Sequence, residues 1–346
     1  MSKILRKISL ILIFLYITAA GFAEIPDPYA PADDATKKIL TEVDDLITQK
    51  KYESAFNQLG QVNDNEYLLA KKISLCINYF VSSIMHQEFA FKDLAENESL
   101  NDARSNNAAI QTIPFDPVTT VGEFEKQRGP SAILEKTLGD YYASVYNHYS
   151  GNWLSSDEEI LTNCEKYYQM AYEKDCYDLL SLDNYGLASI QLKHFDNAIE
   201  AFQKELTFTD TADIHYNLAL AYINIADNKN AFAQASKAAE GYENNDDYRT
   251  DAYLLCADAL TYDNNTEEAE NYVNKILSYS ENNYRAFDEL IFINLTAQKL
   301  DAAALYADKL FALAPESPAA TQMVFRRYYS ENKEELEKFF KRNLET

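Results

Sequence analysis

The sequence predicts an all-α fold: an α-solenoid of stacked antiparallel helix hairpins that winds into a superhelix. Three observations predict it. Apolar residues recur at helical spacing along most of the chain, in short runs separated by turns. Small residues return at a regular interval, at Cys164, Ala198, Ala231, Ala269 and Ala303, with spacings of 34, 33, 38 and 34 residues. With only 8 Gly and 8 Pro in 346 residues, the composition argues against a turn-rich β protein. A hairpin of about 34 residues cannot bury its own apolar stripe, so neighbouring hairpins must supply the partner.

The N-terminus reads as a targeting segment over residues 1–23. Lys3, Arg6 and Lys7 precede an apolar run from Ile8 to Thr18, and Gly21-Phe22-Ala23 forms a small-x-small cleavage site ending at Ala23. Two readings stand open: a cleaved signal peptide, which makes the protein exported (periplasmic or secreted), and an uncleaved membrane anchor. The apolar run is short for a full span, and membrane association is expected only through this segment if it stays uncleaved. Residues 24–32 form an extended leader marked by Pro26, Pro28 and Pro31.

Residues 33–95 read as one helical hairpin and a long helix. Asp33-Asp34 caps the first helix, Gln49-Lys50-Lys51 breaks it, and Tyr52 to Phe56 opens the second. The long helix is expected from about Glu66 to Phe91, with Leu69, Ile73, Cys76, Ile77, Phe80 and Ile84 along one stripe. Periodicity then fails over residues 96–130, which read as a long irregular loop. Its Ile113, Phe115, Val118 and Val121 leave open whether it packs across a surface or stays mobile.

Repeats are legible from Ser131 to Pro315, about five of them. Leu138-Gly139-x-x-Tyr142 opens the first, and Ser155 or Ser156 restarts the chain as alternative capping boxes with Glu158 or Glu159. The second, Asn184 to Leu206, is the clearest copy, with Gly186, Ala198 and Phe202 as its packing positions. Asn217-Leu218-Ala219-x-x-Tyr222 with Ala231, Ala235 and Ala238 forms the third. Cys256-Ala257 with Ala269, Val273 and Ile276 forms the fourth, and Ile291 with Ala303, Ala307, Leu310 and Pro315 the fifth. Residues 316–346 are expected to cap the array with helices carrying Phe325, Leu336, Phe339 and Phe340.

This period and pattern resemble the tetratricopeptide repeat of exported bacterial proteins, with a Leu-Gly-x-x-Tyr first helix, Ala and Phe on the second, and a closing Pro. The first-helix Trp of that family is absent, its place being taken by Leu182, His215, Tyr253 and Phe287. The resemblance implies a right-handed superhelix whose concave wall, lined by first helices, binds an extended peptide or protein segment. Carried across unit by unit, the groove positions begin with Ile133, Lys136, Asp140 and Ala143, followed by Leu180, Asp183, Leu187 and Ile190. The third unit supplies Asp213, Tyr216, Leu220 and Ile223; the fourth Asp251, Leu254, Asp258 and Thr261; the fifth Arg285, Asp288, Phe292 and Leu295. The Lys/Asn clamp of chaperone-docking members is absent. The wall is instead apolar with an acidic stripe, suited to a partner with apolar and basic residues. Some of these positions are alternatively buried under residues 96–130 or by neighbouring repeats.

A formal net charge of −24 repels phosphate backbones, so no nucleic-acid partner is expected. His86, His148, His194 and His215 are isolated, without metal spacing to Cys, Asp or Glu, and no phosphate loop or nucleophile elbow occurs. No metal, cofactor or catalytic residue is expected, and the reading is a non-enzymatic interaction scaffold. The alternative is an adaptor that binds a small apolar ligand or lipid for an envelope transport system, with residues 96–130 closing a pocket. Cys164 and Cys176 stand near each other in sequence and read either as a bridge or, with Cys76 and Cys256, as buried small hydrophobes. The oligomeric state has no signature in the sequence.

Overall fold

The computed structural model describes residues 22–60, 64–105 and 111–313. It divides into two compact units, one ending at Phe208 and one beginning at Thr209. The expected cleavage segment up to Gly21, the closing Pro315 and the capping helices of 316–346 lie outside the described residues. Ala23 is described, in extended backbone.

The first unit opens with α1 (Asp34–Thr48) and α2 (Tyr52–Leu59), then α3 (Glu66–Asn78). Asp33 caps α1 by accepting from the Thr36 amide at 2.7 Å. A small three-stranded antiparallel sheet follows, of β1 (Ser82–Ile84), β2 (Glu88–Ala90) and β3 (Ile113–Pro114), with the six-residue helix α4 (Leu100–Ser105) between β2 and β3. Next come α5 (Pro117–Arg128), α6 (Ala132–Tyr149), α7 (Asp157–Tyr172), α8 (Leu179–Leu192) and α9 (Phe195–Glu205). The second unit contains α10 (Ala212–Asn224), α11 (Asn228–Gly241), α12 (Asp246–Tyr262), α13 (Thr266–Tyr279), α14 (Tyr284–Thr296) and α15 (Leu300–Leu313). Within each unit the repeat helices pack as sequential hairpins: α6 with α7 and α8 with α9, then α10 with α11, α12 with α13 and α14 with α15. The hairpins are all-α, as expected; the short sheet is an addition to that class.

Two N-terminal expectations are corrected. The helix from Glu66 stops at Asn78 rather than reaching Phe91, because the chain reverses into the β1–β2 hairpin. Leu69, Ile73, Cys76, Ile77 and Phe80 are buried as the stripe required, but Ile84 is 52% exposed on β1. Arg104 of α4 supplies the stop. Its Nε donates to the Phe80 carbonyl at 2.9 Å and an Nη to that of Asn78 at 3.2 Å, satisfying acceptors past the helix end. Its guanidinium stacks 4.3 Å from the Phe80 ring centroid. Met85 and His86 turn the hairpin with φ of 49° and 48°, both left-handed.

Residues 96–130 are not one irregular loop. Asp116 accepts from the Val118 and Thr119 amides at 3.1 and 3.3 Å and caps α5, with Pro117 at its first position. Val121 and Phe124 of α5 join Leu69, Ala70, Ile73, Ile133, Leu134 and Leu138 in one core cluster, so this segment packs on α3 and α6.

Helix contact within each hairpin follows a rule of compensating volumes. Gly186 of α8 faces Phe202 of α9 so closely that an added Cβ would lie 2.5 Å from the ring. Gly139 of α6 meets the Tyr168 ring of α7 at the same distance. The corresponding pairs in the second unit are Ala219 with Ala235, Ala257 with Val273, and Ile291 with Ala307, all fully buried. At least one member of each pair is small, and in all but Ala219 with Ala235 the other is bulkier, which keeps the helices in close approach. Between the two helices the chain turns through a left-handed residue: Lys193, Ala226, Asn264 and Gln298 all have φ between 57° and 65°. Ser156 is the cap of α7, accepting from the Glu159 amide at 3.2 Å. All four cysteines carry free thiols, Cys164 and Cys176 included. Among the described residues no helix is long and apolar enough to cross a membrane.

Candidate binding surface

The first helices α6, α8, α10, α12 and α14 carry the residues that the repeat pattern assigns to the groove. In the first unit, Leu180 of α8 is 47% exposed, while Asp183, Leu187 and Ile190 along the same helix are partly exposed. The positions on α6 differ. Ile133 is buried against Val121 and Phe124 of α5. Lys136 is buried with its ammonium 2.9 Å from Asp140 Oδ2 and 2.8 Å from Asp178 Oδ2. Tyr168 donates to Asp140 Oδ1 at 2.9 Å. Burial depresses the charge of Lys136, but the two carboxylates prevail and hold it well above its ordinary pKa. These positions are a closed polar cluster rather than open groove.

In the second unit, Tyr216, Leu220 and Ile223 of α10 are partly exposed, and α12 packs beside both α10 and α14. Leu254 is a correction: it is 8% exposed and belongs to the core with Ala257, Phe287 and Leu290. Thr261 is likewise buried, its hydroxyl donating to the Ala257 carbonyl at 2.7 Å. The next residue, Tyr262, takes the surface position; it is 55% exposed and meets Phe292 of α14 edge-on at 5.8 Å. Reading the helical phase one residue early misses Tyr262, although its aromatic character among polar neighbours is a usable signal.

The acidic stripe is partly engaged within the protein. Asp213 accepts from the Tyr242 hydroxyl, and Asp251 is ion-paired with Arg285, itself a groove position. Asp258 and Asp288 are partly exposed on α12 and α14. The acidic turn from Glu243 to Asp247 is closed by Arg249, which donates to the Glu243 carbonyl at 2.9 Å and pairs with Asp246.

The histidines take structural positions. His194 Nδ1 lies 2.7 Å from buried Glu165, which also accepts from Ser189 at 2.8 Å and Asn197 at 3.1 Å, binding α7 to the α8–α9 turn. His215 is held between Gln234 Oε1 at 2.6 Å and Asp210 Oδ1 at 2.8 Å. His86 is fully buried, with Nε2 3.1 Å from Ser144 Oγ, and burial followed by His148 and Arg104 pushes its pKa down to about 3. Among the described residues no group of His, Cys, Asp and Glu could hold a metal ion. A cavity of about 670 Å3 beside β3 is lined by Phe56, Ile113 and Phe115, but equally by Lys72, Glu88, Asp116 and Glu123. That charge content is unlike the apolar lining of a lipid site.

No family model matches the sequence, and no curated protein matches it either. Among solved structures, the apo form of RapI is similar over 89% of this chain and 85% of that one, at 14% identity and a TM-score of 0.51. YrrB, described as a TPR protein with an unusual peptide-binding site, is similar over 58% of this chain and 95% of its own, at 17% identity and a TM-score of 0.43. A tetratricopeptide repeat protein from Parabacteroides merdae is similar over 85% and 99%, at 12% identity and a TM-score of 0.37. At such identities likeness extends to the fold alone. The likeness to RapI, with the repeat interval and the sequential hairpins, gives the chain an all-α fold of stacked helix hairpins of the kind the repeat pattern predicts.

Proposed function

We propose that this chain is a non-catalytic protein-interaction scaffold, active after export, whose first helices hold an extended peptide segment with apolar and basic residues. One observation carries the reading. Tyr216, Leu220 and Ile223 on α10, and the Tyr262–Phe292 pair on α12 and α14, keep apolar surface in contact with solvent on helices that pack side by side. Exposed apolar and aromatic surface of that kind, flanked by Asp258 and Asp288, is the composition of a peptide-recognition wall. Basic character in the partner is favoured by the net charge of −24. Export is supported by the basic and apolar pattern of residues 1–23.

The test is a peptide array in which apolar and Lys/Arg content are varied independently, probed with the full chain and with a Leu220→Asp/Phe292→Asp variant. Apolar-basic peptides are expected to bind the parent, with at least a tenfold loss in the variant. Equal binding by both proteins removes the first helices as the binding face. Cell fractionation reports on export separately, and a purely cytoplasmic product refutes that part.

A further inference from the structure

Lys72 of α3 is a buried cation, 6% exposed, that forms no ion pair among the described residues. Its ammonium donates to the Gly60 carbonyl at 2.5 Å and lies 5.0 Å from the ring centroids of both Phe56 and Phe115. An ammonium carries three donors, so two of them have no acceptor among the described residues. The two rings stabilise the charge only in part. Burial pulls the Lys72 pKa down, a shift that a carboxylate arriving beside it would reverse.

Lys72, Phe56 and Phe115 are walls of the cavity of about 670 Å3 beside β3, a size that suits a small ligand. Strand pairing fixes another wall: Glu88 stands opposite Pro114 and Phe89 opposite Ile113, and the Phe115 amide donates to the Gln87 carbonyl at 2.8 Å. Ile113 and Pro114 bring exposed apolar surface to this cavity. Three carboxylates line it as well, and they are not equivalent. Both oxygens of Asp116 are engaged at the start of α5, by the Val118 and Thr119 amides and the Thr119 hydroxyl. Glu88 gives one oxygen to the Thr112 hydroxyl at 2.7 Å, and Glu123 is exposed, with no partner among the described residues. The lining thus combines an ammonium with free donors, two carboxylates with free acceptors, and apolar side chains. A plain anion would be repelled by the carboxylates and a plain cation by Lys72; a molecule carrying both charges on an apolar body answers all three.

We propose that this cavity binds an α-amino acid with an apolar side chain, free or at the end of a short peptide. Lys72 holds its carboxylate, Glu88 and Glu123 its ammonium, and Ile113 and Pro114 its side chain. None of these residues lies on α6, α8, α10, α12 or α14, so the site does not depend on the peptide face proposed above.

The experiment is calorimetric titration of the full chain with L-phenylalanine, with 3-phenylpropionate, which lacks the ammonium, and with phenethylamine, which lacks the carboxylate. L-Phenylalanine is expected to bind below about 1 mM. Each single-charge analogue is expected to bind at least about tenfold more weakly, the value of one charge-assisted hydrogen bond. Glycyl-L-phenylalanine distinguishes the sources: tighter binding than L-phenylalanine assigns the site to a peptide end, weaker binding to the free amino acid. Lys72→Met is expected to weaken L-phenylalanine and 3-phenylpropionate alike. Glu88→Gln/Glu123→Gln, which preserves the Thr112 contact and leaves Lys72 in place, is expected to weaken L-phenylalanine and spare 3-phenylpropionate. That second variant keeps the test decisive if Lys72→Met fails to fold. No binding by L-phenylalanine or the dipeptide, equal binding by either single-charge analogue, or an unchanged affinity for L-phenylalanine in Glu88→Gln/Glu123→Gln overturns the proposal.

Discussion

Gly186→Ala is the substitution that most directly tests how the hairpins pack. An alanine Cβ at this position would sit 2.5 Å from Phe202 Cζ and 2.7 Å from both Cε atoms. Non-bonded carbons prefer about 3.5–4.0 Å, so the intrusion is roughly 1 Å. Phe202 cannot retreat, being fully buried beside Ala198 and Ala201, which are also fully buried. Overpacking of this kind costs about 1–3 kcal/mol, while alanine in place of glycine returns about 1 kcal/mol of helix propensity. A net loss of up to about 2 kcal/mol is expected. Urea unfolding followed by circular dichroism measures it. Gly122→Ala in α5 is the control, since nothing lies within 4 Å of its added Cβ; there the propensity term acts alone and a gain of about 0.5–1 kcal/mol is expected. The double variant Gly186→Ala/Phe202→Leu should recover part of the loss. If Gly186→Ala matches or exceeds the parent in stability while the control gains as expected, the packing argument is wrong.

Three further outcomes follow from the buried charges and rings. His86, depressed to about 3 from 6.5, contributes stability that is complete above about pH 6.5 and is lost as pH falls toward 3, at roughly 1.4 kcal/mol per pH unit. His86→Gln should therefore lower stability at pH 7 but flatten its decline between pH 7 and 5; a parallel decline would contradict this. Glu125 has one buried carboxylate oxygen without a partner, and burial, then neighbouring Glu135, raises its pKa. The stability it contributes below about pH 4.5 is lost as pH rises through the raised folded value, so Glu125→Gln should raise the melting temperature at pH 7 more than at pH 4. Glu135 has a side chain 0% exposed and is paired with Lys174 at 2.5 Å; Lys174→Met strands that charge and should cost about 3–5 kcal/mol, with Glu135→Gln/Lys174→Met costing much less. Thermal or urea unfolding of the two variants decides the point.

The repeat region was legible because its signal is redundant. A small residue every 34 or so positions, an aromatic four residues after Ala198, and a turn between two periodic runs all point to one hairpin. The structure refines the roles: Gly186 makes room for Phe202 on the opposite helix, a pairing that a one-dimensional pattern cannot reveal. The N-terminal part was less legible for physical reasons. Phe80 and Ile84 stand four apart and imitate a helical stripe, while the acceptors that end α3 are satisfied by Arg104, well downstream in sequence. Asp116-Pro117 is a helix start, yet among so many prolines it reads as loop. In the surface assignment, Leu180, Leu187 and Leu220 lie at the surface to varying degrees, whereas Leu254 and Thr261 are covered and Tyr262 takes the surface position next to Thr261. Helical phase is the weak link there, since an error of one residue rotates a side chain by about 100°.

The compensating pairs also set the scale at which this array can be altered. Because Gly186 is fitted to Phe202, and Ile291 occupies the place that an alanine fills next to Ala235, a first helix from one repeat is not interchangeable with that from another. Transplanting α14 opposite α9 would set an isoleucine against a phenylalanine; transplanting α8 opposite α15 would set a glycine against an alanine and leave a void. Both costs vanish when the two helices of a hairpin travel together. The modular unit for shortening, lengthening or recombining this protein is thus the matched hairpin, and cuts belong after its second helix rather than at the turn within it.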